Sequence, residues 1–509
     1  MSNQSSDNNK RIAKNTVVLY IRMIFLMFVS FFTSRVVLEA LGVSDYGIYN
    51  VVGGLVALFN IVSKSLTSAT TRFINYELGT GDKERLKKVF STTLTIQIVL
   101  VVIIVILAES GGMWFLRNKM VLPPDRMVAA IWCFHLSVIT FGANLISIPY
   151  NAAIIAHEKM KAFAYISIFE GIAKLLIAYT IMTFFFDKLI LYAVLLCLLQ
   201  LILRLIYGIY CKRNFEECDY DFSCDRGLLK EIFGYTSWGM VGSVASVLNT
   251  QGSSLIFNIF FGPIVNAAKG IAVQVQQAIQ GFSGNFMMAL NPQITQNYAA
   301  GNIDYMMSLV NRGARFGFYL MAVITLPIII VADTLLALWL KNVPDHAVDF
   351  VRITLLYALF DTWSSTLYTA QNATGNVKFY NLTISLSHLG CVLMTYVLLK
   401  LGLSPEIALS SIAVMAIVNA FLRLFILKRD IDIKAWTYIA KVIIRPSLVV
   451  LLAAILPIAL KMALPNELWY SVFIFVISFI SVSLCICALG LEKNERDFLI
   501  KKIRNKLNK

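Results

Sequence analysis

Charged side chains lie inside stretches that are otherwise apolar. Arg22, Arg35, Lys64, Lys174, Arg204, Lys269, Arg352 and Arg445 are cations so placed. Glu170 and Asp361 are the carboxylates, and His135 and His388 the histidines. Ionised groups in hydrocarbon are expensive, so each such position is a functional candidate by default. The excess of cations suits an anionic guest, since an anion that must cross an apolar layer needs ammonium or guanidinium groups along its route. Some of the set have simpler readings. Glu170 and Lys174 are spaced i, i+4 and can neutralise each other on one helix face. Arg35, Arg204 and Arg445 lie near the ends of their stretches, where long side chains snorkel to the interface. Arg352 and Asp361 are nine positions apart and point opposite ways. Glu170, Asp361, His135 and His388 are the groups available for proton or sodium coupling, and either histidine can equally be a packing residue.

The elements that must hold these groups are membrane spans. The chain is 58% hydrophobic and only 14% charged, against about 25% charged for soluble domains. About 14 stretches have the length and apolarity of a spanning helix. They lie near 15–37, 47–70, 89–108, 127–148, 162–185, 189–210, 232–257, 265–289, 314–336, 347–369, 379–399, 406–426, 440–462 and 468–490. The alternation of a membrane barrel is absent, so the fold class is an all-α polytopic membrane protein. Lys and Arg concentrate on alternate loops, which places both termini in the cytoplasm. Arg423 is counted among those cytoplasmic cations. The net charge of +15 would suit nucleic acid in a soluble protein; here it reflects that bias and a basic interior, and no nucleic acid partner is expected.

Two internal echoes point to duplication. Leu41-Gly42 through Gly79-Thr80-Gly81-Asp82 recurs from Phe261-Gly262 to Gly301-Asn302, an offset of 220 (261 − 41). Ala153 to Lys161 recurs as Ala370 to Lys378, an offset of 217 (370 − 153) in the pattern Ala-x2-Ala-x4-Lys. The expected organisation is a cytoplasmic tail (1–14), a first six-helix lobe (15–211), a cytoplasmic linker (212–230), a second six-helix lobe (231–428), two appended helices (429–490) and a basic cytoplasmic tail (491–509). Parallel repeats of this kind are related by an axis along the membrane normal.

Helical spacing of 100° per residue brings Tyr49, Asn60 and Lys64 onto one narrow face, and Lys269, Gln276 and Gln280 onto another. The 220 offset makes these the same stripe, since Tyr49 falls on Lys269 and Asn60 on Gln280. Polar faces on repeat-related helices suit either a helix contact or the wall of a water-filled lumen. No phosphate loop, His-Glu-x-x-His or nucleophile elbow is present, and the loops are too short for a soluble catalytic domain. Eight cysteines are present; Cys211, Cys218 and Cys224 cluster without the spacing of a zinc site, so no metal and no cofactor is expected.

Arg35 followed by Leu41, Gly42, Tyr46, Gly47 and Tyr49 resembles the signature of the polysaccharide transporter branch (Wzx-type flippases) of the multidrug/oligosaccharidyl-lipid/polysaccharide flippase superfamily. The Ala-rich loop before span 5 is similar too. The resemblance implies two six-helix lobes, a central cleft and alternating access. It implies that an undecaprenyl-pyrophosphate-linked oligosaccharide (an O-antigen or capsule repeat unit) is moved across a bacterial cytoplasmic membrane. Arg22, Lys64 and Lys269 would then hold the diphosphate, Tyr49, Asn60, Gln276 and Gln280 the sugar hydroxyls, and Arg35 would line the same cavity. Membrane lipids and a glycan polymerase or glycosyltransferase are the implied partners. The two rival readings are a multidrug/cation antiporter of the same superfamily and a membrane-embedded glycan polymerase or ligase.

Overall fold

Backbone groups in hydrocarbon must bond within their own segment, and the chain obeys this with helices throughout. The structure is a computed structural model. It describes residues 2–57, 59–118, 123–183, 187–221, 225–340, 343–431, 433–465, 467–492 and 495–497. Side chains are described along these stretches except at 2–10 and at scattered positions within 31–61 and 255–267. No strand occurs among the described residues.

The first helix, α1 (Ser2–Ala57), breaks at Gly42, whose φ of 75° and ψ of 169° suit glycine alone. Its two arms are the first span and the start of the second, which α2 (Asn60–Thr80) completes. Then follow α3 (Lys83–Leu107), α4 (Met113–Asn118), α5 (Met127–Ala156), α6 (Met160–Thr183) and α7 (Lys188–Asn214). Next is α8 (Arg226–Ala299), with 74 residues. A straight helix of that length would run about 110 Å, several times the ~30 Å hydrocarbon core. It is not straight. Lys269 Nζ lies 2.8 Å from Ser253 Oγ, 16 residues away, which a straight helix would separate by about 24 Å. The chain therefore doubles back between Phe257 and Lys269, and α8 supplies two spans.

The remaining helices are α9 (Ile303–Ile330), α10 (Ala332–Trp339), α11 (Ala347–Thr374), α12 (Lys378–Lys400), α13 (Pro405–Asp430), α14 (Ala435–Tyr438), α15 (Arg445–Ala463) and α16 (Leu468–Cys485). Ten described helical segments are long and apolar enough to cross a membrane by themselves. The second span, the two arms of α8 and α11 are not among them, and these carry Lys64, Lys269, Arg352 and Asp361. Leu451, Ile455, Met462 and Trp469 on the last two helices stand exposed, as lipid-facing side chains do.

Helix boundaries repeat between the two halves. Helix α9 starts 220 residues after α3 (303 − 83), and α11 starts 220 after α5 (347 − 127). Helix α13 starts 217 after α7 (405 − 188). The turns repeat as well. Gly81 and Gly301, 220 apart, have φ of 78° and 75°. Asp187 and Ser404, 217 apart, cap α7 and α13 through their side chains. Gly375 has φ 78°, and its counterpart 217 residues earlier is Glu158 at φ 54°. A glutamate is strained in that region; its carboxylate is held by Arg11 at 2.7 Å.

The chain separates into two compact units: Met1–Ser243 with Thr295–Asn302, and Val244–Ile294 with Ile303–Lys509. The division falls inside α8, beyond the polar 212–230 stretch that composition marks as the linker, because the first 18 residues of α8 (226–243) cluster with the first unit. In the first unit α5 packs on α2, α3 and α7, and α1 packs on α6. In the second, α11 packs on α9 and α13, while α15 and α16 pair and cover α9. Phe318, Phe350 and Leu355 are almost fully buried there.

One tie fixes the end of α16 in the second unit. The Arg315 side chain, 3% exposed, binds Glu492 Oε1 at 2.8 Å and also Glu495. The Arg315 hydrogen bond holds the Glu492 carboxyl below the ordinary range, against the opposing effect of burial. A depressed folded pKa means that the stabilisation is present above the unfolded value of about 4.3 and is lost as pH falls through the folded value. We expect Glu492→Gln to flatten the acid limb of a thermal-stability profile between about pH 5 and pH 3. An acid limb identical to that of the wild type would rule out this contribution.

Candidate functional site

The membrane-embedded charges divide into paired and unpaired groups. In the first unit Glu170 Oε1 accepts from Lys174 Nζ at 2.6 Å, so that pair neutralises itself. His135 Nδ1 lies 2.8 Å from Glu109 Oε1. Arg22 has no carboxylate within ion-pair distance among the described residues. Its guanidinium stands 4.5 Å above the Phe163 ring, its Nε is buried without a hydrogen-bond partner, and Tyr207 and Glu170 are its electrostatic neighbours. Lys64 is exposed on α2 and makes no ion pair among the described residues. Tyr49 packs edge-on against Tyr192 at 5.1 Å between ring centroids. The side chains of Arg35 and Asn60 lie outside the described residues. Arg204 sits 4.1 Å over the Tyr150 ring.

In the second unit Lys269 is 5% exposed. Its ammonium donates to Ser253 Oγ at 2.8 Å and Ser254 Oγ at 3.1 Å, and it lies 5.3 Å from the Phe257 ring. No carboxylate joins it among the described residues. The expected polar stripe thus splits: Lys269 is tucked into the α8 hairpin, while Gln276 and Gln280 are half-buried further along.

Asp361 has a partner that loop counting did not suggest. Arg423, counted above among the cytoplasmic cations, lies within α13, a helix long and apolar enough to cross a membrane. Its guanidinium lies 3.8 Å from Asp361 and donates to Ser364 Oγ at 2.8 Å. Tyr357, Tyr368 and Tyr380 are further electrostatic neighbours. The signal was present in the sequence: Ala420-Phe-Leu-Arg423-Leu-Phe-Ile-Leu is apolar on both sides, and the basic end of the helix comes later, at Lys428-Arg429. His388, which lies near Arg423 and Asp361, contacts Asn249 at 3.4 Å. Arg352 pairs with Asp349 at 2.9 Å, not with Asp361, as their nine-residue spacing requires. The seven described cysteines are free; Cys224 lies outside the described residues.

These features describe a helical membrane protein in which, among the described residues, the embedded carboxylates Glu170 and Asp361 each face a cation while Arg22, Lys64 and Lys269 make no ion pair. Solved structures share the fold. A MATE in complex with MaD3S matches with a TM-score of 0.73 at 13% identity, over 83% of this chain and 97% of that one. An outward-facing MATE family transporter of the MOP superfamily matches at 0.71 and 14%, over 84% and 96%. A MOP superfamily transporter from Pyrococcus furiosus, described as having a binding pocket of reverse polarity, matches at 0.68 and 15%, over 83% and 96%.

The chain belongs to the polysaccharide biosynthesis protein family, whose model matches residues 12–298, more than half its length. Residues 243–398 also match the MatE model. A curated relative, the uncharacterized membrane protein EpsK of Bacillus subtilis, is 20% identical over 320 residues. The match spans 62% of this chain and 62% of the relative.

Proposed function

We propose that this protein is a flippase that moves an undecaprenyl-pyrophosphate-linked oligosaccharide, such as an O-antigen or capsule repeat unit, across the bacterial cytoplasmic membrane. Both termini are then cytoplasmic, and the cargo passes from the cytoplasmic to the periplasmic leaflet by alternating access.

One observation carries this reading. Arg22, Lys64 and Lys269 have no ion-pair partner among the described residues, whereas the embedded carboxylates Glu170 and Asp361 each face a cation. A surplus of unmatched cations in a low-dielectric interior favours an anionic guest. A transporter of organic cations needs the opposite balance, which weighs against the multidrug antiporter despite the shared fold. Lys64 is exposed to meet a diphosphate directly. Lys269 is covered by its serines and reaches the cargo in another state of the cycle. The reading extends to energy coupling: Glu170, Asp361, His135 and His388 are the groups available to exchange a proton or a sodium ion. Membrane lipids surround the transporter, and a polymerase or glycosyltransferase would act before or after it.

Deletion of the gene should leave an undecaprenyl-linked repeat unit accumulating on the cytoplasmic leaflet, with surface glycan lost. Normal surface glycan together with heightened sensitivity to cationic drugs would instead support the antiporter.

A further inference from the structure

We propose that the first unit contains a subsite for a single uncharged sugar ring, in the cavity between the second arm of α1 and helices α5 and α7. The proposal rests on the flippase reading for the source of the sugar, the lipid-linked glycan, and adds which part of it is recognised.

The cavity has a volume of about 270 Å³ and is lined by Tyr49, Gly53, Ser137, Thr140, Phe141 and Asn144 among others. Among the described residues no carboxylate, ammonium, guanidinium or imidazole lines it. Pockets for drug-sized ligands run from roughly 300 to 1,000 Å³, so this one suits one pyranose and not an oligosaccharide. Its polar groups are neutral and can both donate and accept: two hydroxyls, one amide and one phenol. A sugar ring presents the same kind of groups around its rim. Thr140 donates to the Leu136 carbonyl at 2.7 Å, which leaves its oxygen lone pairs free to accept. A sugar also presents C–H faces, which pack on aromatic rings. Tyr49 supplies such a ring, and Tyr192 fixes it edge-on at 5.1 Å. A carboxylate- or ammonium-bearing sugar would enter with no counter-charge and lose its hydration. His135, also on α5, meets Glu109 at 2.8 Å and is not among the lining residues. The diphosphate and the sugar therefore use different places: cations for the first, this neutral cavity for the second.

Gly53 provides a test that spares the fold. A Cβ built there meets nothing within 4 Å, so Gly53→Leu extends into open space from a helical position where glycine is not needed. The probes are methyl glucopyranoside, methyl N-acetylglucosaminide and methyl glucuronide, read by saturation-transfer NMR on full-length protein in nanodiscs. One or both neutral glycosides should show transfer, and the glucuronide a signal about tenfold weaker or less. Gly53→Leu and Asn144→Leu should each abolish the signal, with the Gly53→Leu melting temperature unchanged or raised. Equal transfer from the glucuronide, an unchanged signal in Gly53→Leu, or no transfer from either neutral glycoside would each overturn the subsite. The flippase reading fails separately. If the neutral glycosides bind as described but deletion leaves surface glycan intact, the subsite stands and that reading falls. If deletion stops export but Gly53→Leu exports normally, the reading stands and the subsite falls.

Discussion

Alanine at both Lys64 and Lys269 is expected to abolish export of the lipid-linked glycan while the protein remains in the membrane at its normal level. A hydrogen bond to a charged group contributes about 1.5–3 kcal/mol. Loss of two such contacts to a diphosphate amounts to about 3–6 kcal/mol, roughly 100- to 10,000-fold. The two sites differ in their structural cost. Lys64 is exposed, and a surface truncation shifts stability by only about 0.5 kcal/mol. Lys269 is buried against Ser253 and Ser254, so its removal leaves two hydroxyls short of a partner and a small void. Lys269→Met keeps the volume without the charge and separates charge from packing. Surface glycan in a complemented deletion strain is the readout, with immunoblotting of membranes as the control. Full export by the Lys64→Ala, Lys269→Met double variant would refute the diphosphate role of both lysines.

Asp361→Asn should destabilise the protein more than Arg423→Gln. Removing one member of a buried pair leaves the other charge uncompensated, at a cost of up to about 3–5 kcal/mol when both are fully buried. Here the two members are unequal. The Arg423 side chain is 14% exposed and the Asp361 side chain 38%. Loss of the carboxylate strands the deeper charge, whose Nε already lacks a partner. Loss of the guanidinium strands a group that water can reach, so solvent screening lowers that cost. The double variant should be less destabilised than the sum of the singles, because the stranded charge is then absent. Melting of the detergent-solubilised protein would show the order. Equal losses, or an additive double variant, would mean that the pair is not coupled.

The fold was legible because hydrocarbon leaves few choices. Segments of about 20 apolar residues must be helices, and the glycines at 42, 81 and 301 mark turns that other residues resist. The duplication was legible at the same turns: the 220 and 217 offsets read from short motifs reappear as matched helix starts and caps. The Glu170–Lys174 pair was legible too, since i, i+4 contacts depend on one helix alone.

Contacts across helices were a different matter. Arg423 read as a loop cation because it stands close to Lys428 and Arg429, and only the packing of α11 on α13 brings it to Asp361. Lys269 read as a lumen residue because its helix face is polar. The α8 hairpin brings the Lys269 ammonium to Ser253 and Ser254, a contact that spacing along one helix cannot predict. The Tyr49 cavity needs residues from α1, α5 and α7 at once. A single sequence determines what each helix can bury and where it turns. Which polar groups of different helices meet is decided by packing, because the cost of an unmatched buried charge is settled only between neighbours in space.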